Sequence, residues 1–283
     1  MALRTPIEGG EATAVGSGRE EKIEDRDTNP GPRRFSLTAL RLLLLVAILI
    51  AWELSATAFD LEFFISTPRE IWAELTDWIA TGYLLSNLGV TLEAMAYGFL
   101  LGSLSGIVAG FVLGLIPLLG RILDPFITAI YSLPKLALAP LFVLWFGIGL
   151  EMKVVLTAVI VFFLVFWNTY TGVRETDKEL VDVLRVMGAS RSDMIRKVIL
   201  PASMTYIYVG LKLAIPYSLV GAVVGELIAS NQGIGYILMS AAGAFNTAGI
   251  FAALTVLMLI ATAMNGVLNL TESHVMRWKR VGR

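Results

Sequence analysis

Long apolar runs, separated by short charged interruptions, set the pattern of this chain. Six of them, at about 35–59, 88–116, 122–146, 152–173, 203–229 and 247–270, reach the roughly 20 residues that a helix needs to cross about 30 Å of hydrocarbon. Backbone groups in lipid must bond within their own segment, and the two-residue alternation of barrel strands is missing, so the runs predict membrane-spanning helices. The expected fold class is all-α, a polytopic bundle of six spans. One interruption has a pattern of its own: Leu180 to Ala202 reads LVDVLRVMGASRSDMIRKVILPA. Leu180, Val183, Leu184 and Met187 follow the i, i+3, i+4, i+7 spacing of one helix face, with Glu179, Asp182 and Arg185 on the others. Gly188 stops that helix, Ala189 and Ser190 turn, and a second short helix runs from about Arg191 to Ile199. Pro201 then fits the first turn of the next span, where its missing N–H is not needed. The stretch predicts a surface helix–turn–helix that either lies on lipid or docks its apolar face into a groove of another protein.

Composition and charge sharpen this picture. Of the residues 56% are hydrophobic and 16% charged, against about 45–50% and about 25% in soluble domains. Arg33, Arg34, Arg41, Arg121, Arg174, Lys178, Arg185, Arg191, Arg196, Lys197, Arg277, Lys279, Arg280 and Arg283 fall on one side of the spans, Arg69 and Lys153 on the other. That bias predicts cytoplasmic N- and C-termini and a cytoplasmic helix–turn–helix. Residues 1–34, rich in charge, Gly and Pro and without the apolar core of a secretory signal, are expected to form a disordered cytoplasmic tail. The transmembrane domain is expected over 35–283, with the charged loop at about 174–200.

Cysteine is absent, which removes disulfides and thiol chemistry, and a net charge of −1 argues against nucleic acid as a partner. His274, the one histidine, sits in the basic C-terminal flank, where a solvated side chain is expected rather than a ligand or base. The chain carries no G-x-x-x-x-G-K-[ST] loop, so ATP is expected to bind elsewhere, and no nucleophile–base pair or metal set suggests catalysis.

The charged loop resembles the EAA loop of ABC-importer permease subunits, patterned E-A-A, three residues, G, nine residues, I, one residue, L-P. Asp182-Val183-Leu184, Gly188, Val198 and Leu200-Pro201 stand at those positions with the spacing kept, Asp replacing Glu and Val-Leu replacing Ala-Ala. The segment SLPKLALAPLFVLWFGIG from Ser132 to Gly149 is similar to that of nitrate/sulfonate/taurine-type permeases. So are Gly225-Glu226-Leu227 followed by Gln232-Gly233-Ile234-Gly235, and Ser66-Thr67-Pro68. Glu93 departs from the pattern, at a position where an Arg is expected.

This resemblance, over roughly 60–280, implies a permease of a bacterial-type plasma (inner) membrane, paired with a second copy or a sibling around a central pathway. It further implies a pair of cytoplasmic ATPases gripping residues 179–199, an external substrate-binding protein, and ATP and Mg bound in the ATPase with no cofactor in this chain. Coupling would fall to Leu180, Asp182, Val183, Leu184, Met187, Gly188, Ala189 and Ser190. The implied solute is small and polar or anionic, of nitrate, sulfonate, taurine or vitamin-precursor kind. The alternative class is an ion-gradient-driven secondary transporter, which would commonly show repeated halves with matching broken helices; none is visible.

Several residues inside the runs stand out. Gly98, Gly102, Gly106, Gly110 and Gly114 form a strict four-residue ladder that lets another helix approach closely, as a packing face or a sliding seam. Lys212 and Pro216 predict a kink and a lysine at depth, facing the pathway or snorkelling outward. Glu226, Gly233 and Gly235 read as an interfacial helix end or as part of an external gate. Lys135, between Pro134 and Pro140, reads as a charge anchoring a kink or as a pathway residue. Glu62, Glu70, Glu74 and Asp77 are expected on a solvated external face able to meet a binding protein.

Overall fold

The computed structural model describes residues 34–275, and every regular element in that range is helical. The tail through residue 33, the basic residues Arg277, Lys279, Arg280 and Arg283, and the side chains of Arg34, Lys178 and His274 lie outside the described residues. The chain divides into two units, residues 1–48 and 49–283. The described part of the first is the beginning of α1 (Arg34–Ala58), whose Leu40, Leu42, Leu43, Leu44 and Leu45 are all exposed, as a lipid-facing helix requires.

The second unit continues through α2 (Glu62–Ile65), α3 (Pro68–Ala80), α4 (Tyr83–Leu115), α5 (Pro117–Ser132), α6 (Ala139–Phe146) and α7 (Leu150–Arg174). It ends with α8 (Lys178–Val186), α9 (Arg191–Met194), α10 (Leu200–Ile228), α11 (Ile234–Gly243) and α12 (Thr247–Val275). Five of the described helices are long and apolar enough to cross a membrane, and six if the bent pair α5–α6 is one span, in agreement with the six apolar runs.

The centre of this unit is α7, packed between α4 and α10. Met152, Leu156, Val161 and Val165 along it are fully buried. The glycine ladder of α4 makes the packing possible. A Cβ on Gly102 would stand 2.5 Å from the Ala158 carbonyl oxygen, one on Gly106 2.8 Å from that of Phe162, and one on Gly110 2.7 Å from that of Phe166. Gly98 and Gly114 meet Thr157 and Val173, so partner numbers rise with ladder numbers and the two helices run parallel. On its other flank α7 meets Gly210 at Asn168, Gly221 at Thr157 and Gly225 at Lys153, a falling series that makes α10 antiparallel. These directions are those of spans separated by two crossings and by one. All five glycines of the ladder thus face α7 at close approach.

The third apolar run is broken. Its two halves, Pro117–Ser132 and Lys135–Phe146, meet at 79°. Pro134 excludes the helical conformation from the residue before it, and Leu133 is extended at φ −65°, ψ 135°. In an unbroken helix the Tyr131 carbonyl would accept from the Lys135 N–H. Here it accepts from the Lys135 ammonium instead, which also lies 4.1 Å from the Tyr131 ring centroid.

Two short helices that the apolar runs do not reveal build a second core. Ile71, Leu75 and Trp78 of α3 pack with Ile234 and Ile237 of α11 and with Ala252, Ala253 and Val256 of α12. Thr67 and Glu70 form a capping box at the start of α3, with Pro68 in its first turn. The second helix of the charged loop also differs from expectation. Instead of stopping near Ile199, it joins α10 in one 38-residue helix over Arg191–Ile228, through a π turn at Ile195–Ile199. The Leu200 N–H reaches back five residues to the Ile195 carbonyl, which lets the helix continue into Pro201 without a break.

Candidate functional site

At the end of the bundle where α10 finishes, four elements meet around a buried carboxylate. Glu226 is 1% exposed, and its oxygens accept from the Thr91 hydroxyl of α4 at 2.9 and 3.0 Å and from the Gly235 N–H at 2.9 Å. The ammonium of Lys153, from the first turn of α7 and 2% exposed, stands 3.8 Å from it and donates to the Gln232 carbonyl at 2.9 Å. Asn87, one helical turn before Thr91, accepts from the Gly233 N–H at 2.7 Å, and the Thr91 hydroxyl accepts from the Ile234 N–H at 2.9 Å.

The three N–H groups of Gly233, Ile234 and Gly235 are the ones a helix leaves without partners at its start. Each is capped by a side chain from another helix, and one cap is a carboxylate, which the positive end of α11 favours. The turn has no room for side chains. Gly233 has φ +116°, and a Cβ there would overlap the Glu226 carboxylate; one on Gly235 would stand 2.6 Å from the Val223 carbonyl oxygen. Arranged this way, the cluster clasps the Gln232–Gly235 turn and holds the start of α11 on α4, α7 and α10. Beyond the turn a cleft of about 710 Å³ opens, with Ser230, Asn231, Tyr236 and Ser240 among its walls.

Of the pathway or gate candidates, Glu226, Gly233 and Gly235 come together in this clasp. Glu226, though almost fully buried, also lines the cleft beyond the turn. Lys212 and Pro216 are half-buried within α10, and Lys212 lies fourteen residues before Glu226, about 21 Å along the helix. Lys135 sits half-buried at the bend of the third run. Lys153, Asn87 and Thr91 escape a reading of the sequence: Lys153 looks like one more loop charge. The four-residue spacing of Asn87 and Thr91 at the start of an apolar run is the available signal. Among the acids Glu62, Glu70, Glu74 and Asp77, Glu70 accepts from Ser66 at 2.7 Å and Glu74 from the Asn246 amide at 2.9 Å, so two of them already hold local structure.

The opposite end carries the helix–turn–helix. Asp177 caps α8 through the Glu179 N–H at 2.8 Å, and Asp182 pairs with Arg185 at 2.8 Å. Gly188 terminates the helix at φ +79°, with the Ala189 N–H on the Leu184 carbonyl at 2.9 Å. Ser190 and Asp193 form a capping box that starts α9. Leu180, Val183 and Met187 are 54, 57 and 77% exposed on one face of α8, whereas Leu184 is half-buried. Three apolar side chains at helical spacing, beside a capped turn, form a face that no described residue covers.

Over residues 98–277 the chain matches the family described as binding-protein-dependent transport system inner membrane component. It is 32% identical to the Bacillus subtilis permease assigned to aliphatic sulfonates transport, over 95% of this chain and 97% of that one. A riboflavin transport system permease of Chloroflexus aurantiacus is also 32% identical, over 87 and 93%. A formylaminopyrimidine transport permease of Halalkalibacterium halodurans is 27% identical, over 84 and 95%. An amino acid ABC transporter of known structure shares the fold with a TM-score of 0.59 at 16% identity, covering 71% of this chain and 98% of that one. The inward-facing methionine ABC transporter does so at 0.58 and 19%, covering 70 and 99%.

Proposed function

The chain belongs to the binding-protein-dependent transport system inner membrane components, the membrane-spanning permease subunits of ABC importers, and from that premise we propose what it carries and how it is driven. The solute is small and polar or anionic, of the sulfonate or vitamin-precursor kind that its relatives are named for. Energy comes from a separate ATPase pair that holds ATP and Mg, and an external binding protein delivers the solute. Two copies of this chain line the pathway in an inner membrane, with both termini in the cytoplasm.

The observation that carries this reading is the uncovered face of α8. A surface hairpin that only rested on lipid would not need a capped, glycine-terminated turn holding Leu180, Val183 and Met187 outward together. A groove on an ATPase would bury all three. Leu184, turned partly toward its own chain, contributes to holding the hairpin more than to the contact.

Val183→Asp is the direct test. It places a charge in the centre of the face without touching the spans, and truncating a central anchor of an interface typically costs about 2 kcal/mol or more, roughly 30-fold in affinity. The variant should insert normally yet lose the ATPase on purification and lose ATP-driven uptake. Retention of a near-equimolar ATPase by Val183→Asp would sink the docking assignment. Competition of uptake by alkyl sulfonates, formylaminopyrimidine and riboflavin, with the binding protein present, identifies the solute class.

A further inference from the structure

Where α4 and α7 run out, a groove opens between the α4–α5 junction and the α8–α9 hairpin. It consists of two clefts of about 440 and 450 Å³ that share Leu115, Pro117, Val181, Arg185 and Ile199. Its floor is apolar and reaches Val112 and Ile116, which are 47 and 45% exposed on the flank of the spans. Three arginines line it: Arg174 from the end of α7, Arg185 from α8 and Arg191 from the start of α9. The one carboxylate among the lining residues, Asp182, is already paired with Arg185. Arg174 gives an N–H to the Tyr170 hydroxyl at 2.6 Å, and Arg191 has no hydrogen bond or ion pair among the described residues.

The height of the groove matters as much as its charge. Gly114 and Leu115 close α4, and Val173 and Arg174 close α7, so the groove lies where two spans leave the hydrocarbon. An apolar floor continuous with the flank of a span, under arginines in excess of carboxylates, matches the two parts of an anionic phospholipid. Acyl chains find Val112 and Ile116, and the phosphate finds forked guanidinium donors. We infer that this groove binds one anionic phospholipid, with its phosphate on the arginine rim. Val181 and Arg185 lie on a different face of α8 from Leu180, Val183 and Met187, so the lipid and a docked ATPase use different side chains. Bound there, the lipid braces the hairpin against the spans and makes coupling depend on headgroup charge. That consequence rests on the coupling role proposed for α8; the binding itself does not.

The test uses the full chain in detergent, offered equimolar phosphatidylglycerol and phosphatidylcholine, with retained lipid counted by native mass spectrometry. One phosphatidylglycerol per chain should be held in preference. Arg191→Gln, which breaks no internal contact, should lower its retention about fivefold, and Arg174→Gln/Arg191→Gln about 25-fold, at roughly fivefold per arginine near a lipid surface. Lysine at both positions should restore most of it, and Arg69→Gln, at the opposite end, should change nothing. Equal retention of the two lipids, full retention by Arg191→Gln, or equal loss in Arg69→Gln would overturn the assignment. Displacement by soluble glycerol phosphate would overturn it in favour of a free-anion site, and displacement by the purified ATPase in favour of a protein contact. Loss of the ATPase in Val183→Asp leaves all of these readouts untouched, so the two proposals fail separately.

Discussion

Glu226 and Lys153 show what a charge inside a span does when its own chain encloses it. Neither stands free, and neither is tightly paired: their 3.8 Å separation leaves each relying on neutral partners, Thr91 and Gly235 for the carboxylate, Gln232 for the ammonium. Removing one charge from a buried pair typically costs about 3–5 kcal/mol, because the other is left uncompensated. Lys153→Met should therefore lower the unfolding temperature in detergent markedly, and adding Glu226→Gln should recover much of the loss. A double variant no more stable than Lys153→Met would mean that the two charges act independently. Gly233→Ala tests the same clasp sterically, since its Cβ would overlap the carboxylate; it should free the start of α11, seen as faster amide exchange at 233–237. The sequence marks Glu226, Gly233 and Gly235 as a group because they lie within ten residues. It hides Lys153 and Thr91 because their partners are 73 and 135 residues away, a closeness that only the α4–α7–α10 packing creates.

At the level of elements, hydrophobic run length told most of the story and hydrogen-bond bookkeeping the rest. Five of the six runs are single helices and the third is a bent helical pair, because lipid leaves little other use for a long apolar segment. The runs could not reveal α3 and α11, which are short, lie beside the spans and take their stability from a shared core of Ile71, Trp78, Ile234 and Val256. The bend at Leu133 was legible only as a proline; its 79° angle, the Lys135 ammonium on the freed Tyr131 carbonyl and the Tyr131 ring stacked on Trp167 emerge only in three dimensions. The ladder gives the sharpest expectation here. Gly106→Ala places a Cβ 2.8 Å from the Phe162 carbonyl oxygen, so backbone must move away from backbone. A cost of about 1–3 kcal/mol is expected, as for overpacked cores, measured as lowered thermal stability, whereas Gly89→Ala on the same helix meets nothing within 4 Å and should be neutral. Equal behaviour of the two variants would exclude the ladder as a packing face.

Across the whole molecule, the two ends differ in kind. One end is enclosed and polar inside, with the clasp at the start of α11; the other offers the open hairpin. Because the chain has no cysteine, its orientation can be read with single introduced thiols and no background. A membrane-impermeant maleimide applied outside intact cells should label Asp77→Cys and spare Ser190→Cys; the reverse pattern would invert the topology. The two ends are also joined by one uninterrupted helix, Arg191–Ile228, about 57 Å long at 1.5 Å per residue. A helix of that kind transmits angle as well as push. Its residues are about 100° apart around the axis, so the bearing of α9 and the bearing of Glu226 are locked in phase. The π turn at Ile195–Ile199 already holds one residue more than an α turn would. Deleting Val198 should relax it to ordinary helix and leave that phase nearly unchanged, whereas deleting Met204, in the α-helical stretch beyond the π turn, should rotate the hairpin by roughly 100° against the clasp. Such a chain would keep every span and both ends intact and still be mistimed, like a camshaft refitted one tooth out.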